Sequence, residues 1–305
     1  MRPLEPGDVV RLVSPSGPTR PDRVARGIEL LEGWGLRVEL GRHVFAEHGY
    51  LAGRDADRLD DLNAALADPR VRAVICTRGG YGAQRIADAV RWGPPKHLVG
   101  FSDITALQLS LWRVARRPAV HGPGAAWFDD RLPDISEMSL KSALMSTGEL
   151  VAPRVEDGPL VEGPPATGLL LGGNLTMLAT TLGTSDMPDL SGAILLLEDV
   201  GEAPYRLDRM LTQLIRAGAL AGVAGVAVGQ FTQCADHRPV TAFEVLQERL
   251  GTLGCPVLGG LPIGHGFGQL TVVVGAPATL DTQNGVLLSR LTDGCGTVAG
   301  AGLRP

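Results

Sequence analysis

Three short stretches of this chain carry side chains that together could perform nucleophilic acyl transfer. The first is Gly100-Phe101-Ser102-Asp103-Ile104-Thr105, between an apolar run and a helical pattern. A serine at a sharp strand-to-helix turn lifts its hydroxyl above the carboxyl edge of a sheet, and the free N–H groups of the helix start can face a developing oxyanion. Such a turn needs a small residue two positions before the serine, which Gly100 supplies. It usually has a second glycine two positions after, where this chain has Ile104. On this motif alone the plainer reading is that Ser102 or Asp103 simply N-caps the helix. The second stretch, Leu195-Leu196-Leu197-Glu198-Asp199-Val200, ends a buried apolar run on two carboxylates. A carboxylate there is costly unless paired, and orienting a histidine is one way to satisfy it. The third, Leu261 to Gly268, sets His265 among glycines that allow close approach and unusual backbone angles. His121, in Val120-His121-Gly122-Pro123, is a second histidine in a similar setting, while His43, His48, His97 and His237 read as surface residues.

A fourth stretch, Thr77-Arg78-Gly79-Gly80-Tyr81-Gly82, also follows an apolar run and precedes a helical one. Its glycines let backbone N–H groups approach a substrate, as in an oxyanion hole or a phosphate cradle. The dinucleotide fingerprint fails because Arg85 stands where its last glycine would be. The Walker pattern fails because neither Lys96 nor Lys141 follows a glycine. Metal-ligand spacing is absent: His43 and His48 are five apart, and Cys76, Cys234, Cys255 and Cys295 are scattered. No cofactor and no metal are expected, and a nucleotide-dependent α/β enzyme is a distant rival.

The elements that must position these residues follow from periodicity. Val9–Val13 reads as a strand ending on the turn Ser14-Pro15-Ser16-Gly17-Pro18. Residues 22–34 and 54–66 read as helices, 36–40 and 73–76 as strands. A helix is expected through Ile86 and Val90, and another over 104–114. Strands alternating with helices imply a parallel sheet covered on both faces, so the first half reads as a doubly wound α/β domain over residues 1–150. Residues 151–166, crowded with proline and glycine, read as a linker. Beyond them, 167–305 reads as a strand-rich α/β domain. Its strands fall near 168–171, 193–197, 223–228 and 271–274, and its one clear helix near 207–217.

Composition narrows the class further. The 305 residues carry a formal net charge of −5, without the basic stripe of a phosphate-coating protein, so no nucleic-acid partner is expected. No apolar run approaches the roughly 20 residues of a membrane span, and no signal-peptide core is visible at the N-terminus. Scattered cysteines suit a reducing compartment, and a cytoplasmic location is the expectation.

Taken in order, the motifs resemble one family. Ser14-Pro15-Ser16-Gly17, Arg78-Gly79-Gly80-Tyr81-Gly82, Gly100-Phe101-Ser102-Asp103-Ile104-Thr105, His121-Gly122-Pro123, Gly172-Gly173-Asn174-Leu175, Leu197-Glu198-Asp199-Val200, Tyr205-Arg206-Leu207-Asp208-Arg209 and Gly264-His265-Gly266 resemble the LD-carboxypeptidase family of serine peptidases. The resemblance covers essentially the whole chain. It implies a two-domain hydrolase with Ser102 as nucleophile, Glu198 as acid and His265 as base, with Asp103 and Gly80 N–H groups facing the oxyanion; Asp199 and Glu202 stand close enough in sequence to be the acid instead. Arg78, Tyr81, His121, Asn174 and Arg206 are the substrate-binding candidates. The implied reaction releases D-alanine from cytoplasmic murein tetrapeptide by cutting an L,D peptide bond, in a homodimer. A second branch resembles microcin-immunity peptidases that cleave peptidyl-nucleotide conjugates. A non-catalytic ligand-binding member of the same fold is the remaining alternative.

Overall fold

The computed structural model describes residues 1–127 and 133–290; Cys295 lies outside them, as does the end of the expected C-terminal domain. The chain opens with β1 (Val9–Val13), α1 (Pro21–Gly33), β2 (Arg37–Leu40), α2 (Asp55–Ala67), β3 (Val71–Cys76), β4 (His97–Gly100), α3 (Thr105–Ala115) and β5 (Ala119–His121). These five strands are mutually parallel in the order β2-β1-β3-β4-β5. Helices on both faces bury them, which is why β3 and β4 read as near-continuous apolar runs. The strand order reverses between β1 and β3. At such a switch point ligands characteristically bind in a crevice outside the carboxyl ends of the strands; here the two crevice turns, after β1 and β3, touch, with Gly17 N–H donating to the Gly79 carbonyl at 3.2 Å.

After α4 (Asp134–Met145) the chain forms a second sheet. Its strands are β6 (Leu150–Pro153), β7 (Leu160–Val161), β8 (Ala166–Asn174), β9 (Ile194–Val200), β10 (Gly225–Thr232) and β11 (Val257–Leu258). They are joined by β13 (Pro277–Asp281) and β14 (Val286–Ser289) in the order β6-β14-β13-β8-β9-β10-β11-β7. Its centre, β8 to β11, is parallel and its flanks are antiparallel. The helices α5 (Leu175–Thr181), α6 (Pro204–Arg216) and α7 (Ala242–Gly251) pack against it. In α6 a proline begins the first turn, and Leu207, Leu211 and Leu214 form the buried stripe at helical spacing.

Four expectations change. The helix expected through Ile86 and Val90 is instead two 3-10 turns, Ala83–Arg85 and Ala87–Ala89. Side chains from elsewhere take N–H groups here: Ala83 N–H goes to the Asp103 carboxylate and Arg91 N–H to Asn63 Oδ1. The proline-rich stretch 151–166 holds most of β6 and all of β7, and Leu150 and Ala152 alternate inward as a half-buried strand requires. The run at 271–274 supplies β12 (Val272–Val274), which leaves its neighbours in sequence and pairs antiparallel with β5, completing the first sheet. His97 is buried in β4, with Nε2 3.0 Å from the Arg2 carbonyl oxygen.

Candidate active site

Ser102 stands two residues past the end of β4 and has φ +62, the left-handed region that non-glycine residues rarely adopt. The N-cap reading of this serine does not hold. Helix α3 starts at Thr105 after Ile104, neither Ser102 nor Asp103 caps it through a side chain, and the φ of Ser102 is not that of a cap. The turn tolerates Ile104 in place of the usual glycine because Gly100 leaves the space: a Cβ on Gly100 would fall 2.9 Å from Ile104 Cγ2. The neighbouring glycine turn comes equally close. A Cβ on Gly79 would sit 2.8 Å from Ser102 Cβ and 3.2 Å from the Asp103 amide nitrogen.

The Asp103 carboxylate is buried and ties the serine turn to both crevice turns. It accepts from Ser16 Oγ at 2.6 Å and from Ala83 N–H at 2.8 Å. Burial pushes its pKa up, against the lowering effect of these two donors. The fully buried Arg58 fastens the same two turns, donating to the carbonyls of Pro15 and Gly82, the latter at 2.8 Å. Gly80 has φ +121 and lies against Gly17.

Glu198 and His265 meet across the second sheet. Glu198, at the carboxyl end of β9, is wholly buried, and its Oε2 lies 2.6 Å from His265 Nδ1. Desolvation raises the Glu198 pKa, and the neighbouring imidazole opposes that rise. With Nδ1 engaged by a carboxylate, Nε2 is the nitrogen left to exchange a proton with another partner. Two glycines flank His265 for steric reasons. A Cβ on Gly264, at φ +133, would fall 2.9 Å from Glu198 Oε2, and one on Gly266 would fall 2.7 Å from the Gln230 amide carbon.

Aromatic contacts join the two halves. Phe101, next to Ser102, packs its ring 4.7 Å from that of His265, and Trp127 lies edge-on to both at 5.0 and 6.0 Å. Beneath Phe101 is His121, fully buried, its pKa lowered to about 3 by desolvation and by His265.

The remaining sequence candidates divide. Arg78 is exposed at the rim of the crevice turns, with Nη1 3.4 Å from the Pro18 carbonyl oxygen. Tyr81 is exposed, edge-on to Tyr50 at 5.3 Å. Asn174 is buried beside the site: it caps α5 by accepting from Met177 N–H, donates to Asp199, and its side chain also lowers the Glu198 pKa by hydrogen bonding. His121 likewise belongs to the core beneath the site. Arg206 pairs with Glu202 one turn back at 3.5 Å and lies over the Tyr205 ring. Gln230, Trp127 and Arg58 escaped the sequence reading. The signal for Gln230 was a polar residue after glycine at the end of a buried strand; Arg58 and Trp127 had none.

Known proteins resemble this chain in sequence and in fold. Residues 10–122 match the LD-carboxypeptidase N-terminal domain and residues 167–280 the LD-carboxypeptidase C-terminal domain. The murein tetrapeptide carboxypeptidase of Pseudomonas aeruginosa is 34% identical over 287 residues, covering 89% of this chain and 92% of its own. Among solved structures, muramoyltetrapeptide carboxypeptidase from Oxalobacter formigenes overlays with a TM-score of 0.81 at 30% identity, over 93% of this chain and 99% of that one. The microcin C7 self-immunity protein MccF, in complex with glutamyl sulfamoyl guanosine, shares the fold with a TM-score of 0.84 at 20% identity, over 95% and 98%. Two domain matches in sequence order, and relatives that span nearly the full length, give one conclusion: this chain belongs to the LD-carboxypeptidase family.

Proposed function

We propose that the chain is a serine peptidase that releases the terminal D-alanine of murein tetrapeptide by hydrolysing an L,D peptide bond. The observation that carries this reading is the φ of +62 at Ser102, strain that no cap or packing role requires. The buried Glu198–His265 pair supports it, because it prepares one imidazole nitrogen to accept a proton. In this reading His265 Nε2 takes the Ser102 proton as Oγ attacks the scissile carbonyl. Glu198 fixes the tautomer and stabilises the imidazolium. The oxyanion faces the N–H groups of Asp103 and Gly80, each such donor worth about 2.7–4 kcal/mol in the transition state. His265 then returns its proton to the departing D-alanine amine, and a water molecule activated by the same imidazole releases the acyl group.

Arg78, at the rim of the crevice, is the arginine best placed to hold a terminal carboxylate as a bidentate fork, with Tyr81 beside it. Arg206, paired on its own helix, is the weaker candidate. A cytoplasmic role in cell-wall recycling and a homodimeric assembly belong to the same proposal, on family grounds. Among the described residues no helix is long and apolar enough to cross a membrane.

The test is product analysis by mass spectrometry with murein tetrapeptide beside an acyl-sulfamoyl nucleotide conjugate. Release of D-alanine, abolished in Ser102→Ala, is the expected result. Cleavage of the conjugate alone would move the protein to the microcin-immunity branch. No turnover of either, together with no labelling of Ser102 by a fluorophosphonate, would leave the non-catalytic reading.

A further inference from the structure

We infer that Gln230 is a positioning residue for His265, holding its loop through a two-point amide clamp; this rests on the reaction proposed above. Gln230 lies at the carboxyl end of β10, beside the end of β9 that carries Glu198, and is 9% exposed. Its Oε1 accepts from Gly266 N–H at 2.8 Å, and its Nε2 donates to the Phe267 carbonyl oxygen at 3.0 Å. One partner can only donate and the other can only accept, so the amide has a single orientation. The Gln230 backbone N–H also donates to the Ile263 carbonyl at 2.7 Å, so one residue grips the loop on both sides of His265.

The surrounding glycines fit this clamp. Gly229 lets Ile263 approach, since a Cβ there would fall 2.2 Å from the Ile263 carbonyl oxygen. Gly266 allows the amide to lie flat on the backbone, since a Cβ there would strike its carbon and nitrogen at 2.7 Å. The loop is anchored at its two ends, by buried Leu261, Ile263 and Leu270 and by Leu270 N–H donating to the Pro262 carbonyl at 2.6 Å, so the clamp acts on the stretch between them. Phe267 is 76% exposed and Gly268 has φ +71, so hydrophobic burial does not hold this stretch. Glu198 sets the imidazole through Nδ1, and Gln230 sets the backbone from which that imidazole is presented.

The test uses the full chain with Gln230→Met, which keeps the volume and removes both amide bonds. Gln230→Glu serves as the conservative partner, keeping the acceptor for Gly266 N–H. With murein tetrapeptide, Gln230→Met should lower kcat by about 10- to 100-fold while KM stays within about twofold, the signature of lost transition-state geometry. Gln230→Glu should fall between it and the parent. The far-downfield imidazole Nδ1–H resonance expected of a 2.6 Å contact should broaden in Gln230→Met at unchanged Tm. An unchanged kcat in folded Gln230→Met overturns the inference, as does a loss of activity that follows a fall in Tm with the resonance intact. Full activity in Ser102→Ala would instead overturn the underlying reaction, and that result does not depend on Gln230.

Discussion

Glu198 and Asp199 are adjacent on β9, yet their carboxylates serve opposite faces of the sheet. Glu198 meets His265 Nδ1 at 2.6 Å, while Asp199 accepts from Asn174 Nδ2, Thr176 N–H and Thr176 Oγ1 at 3.0, 2.9 and 2.8 Å. Period-two alternation along a strand imposes this division. Glu198→Gln should lower kcat by about 10⁴-fold, as expected of a triad acid, in a folded protein. Asp199→Asn should cost about 1–3 kcal/mol of stability through the start of α5, with a smaller effect on kcat. Urea unfolding and steady-state kinetics on both variants separate the roles. Equal catalytic loss in the two would contradict the assignment.

Strain at Ser102 has a stability signature. Ser102→Gly should unfold about 1 kcal/mol harder than Ser102→Ala, because alanine keeps a Cβ in the left-handed region and glycine does not. Both should be inactive. Calorimetry of the pair reads the difference, and equal stability would mean that the turn relaxes when the hydroxyl is gone.

Two buried histidines set a pH dependence. Desolvation lowers the pKa of His97 to about 4 and that of His121 to about 3, below their ordinary value of 6.5. The unfolded chain therefore binds protons that the folded chain refuses as pH falls below about 6.5. Stability should be level above that pH with respect to these groups. It should then decline steadily toward pH 4 and below, by several kcal/mol in order of magnitude. Denaturant midpoints at pH 7, 5.5 and 4.5 should fall in sequence, and His97→Gln should flatten part of the slope. A midpoint that does not move between pH 7 and 4.5 would rule out the effect.

The Asp103 carboxylate joins the serine turn to Ser16 and Ala83. Ser16→Ala should leave that buried carboxylate with one donor fewer, costing about 1–3 kcal/mol. It should slow fluorophosphonate labelling of Ser102 as the crevice turns loosen. Parent-like stability and labelling together would show that the Ala83 contact alone holds the turn.

Much of this site is legible in the sequence because its constraints are local. Gly264-His265-Gly266 stands out as a pattern, and the structure supplies the reason: one glycine makes room for Glu198 and the other for Gln230. The alternating strands and helices of the first half are legible in the same way. What cannot be read locally is long-range pairing. Nothing in Val272–Val274 says that it will join β5, nor in His97 that β4 will bury it. His121 and Asn174 carry the composition of site residues, but nothing local says that one will lie beneath Phe101 and the other will cap a helix beside Glu198. The choice between Glu198 and Asp199 needed the direction of each side chain relative to partners 25 to 67 residues away.

The return of β12 to the first sheet also dictates when the molecule can be whole. During synthesis, the segment bearing Ser102 emerges early and can gather its parallel strands. The outer edge of β5, with His121 upon it, stays bare until Val272–Val274 arrives. By then both Glu198 and His265 have been made. A ribosome therefore carries Ser102, the proposed nucleophile, for much of translation on a sheet one strand short of complete, and the strand that seals that sheet comes only after the residues proposed to activate the serine.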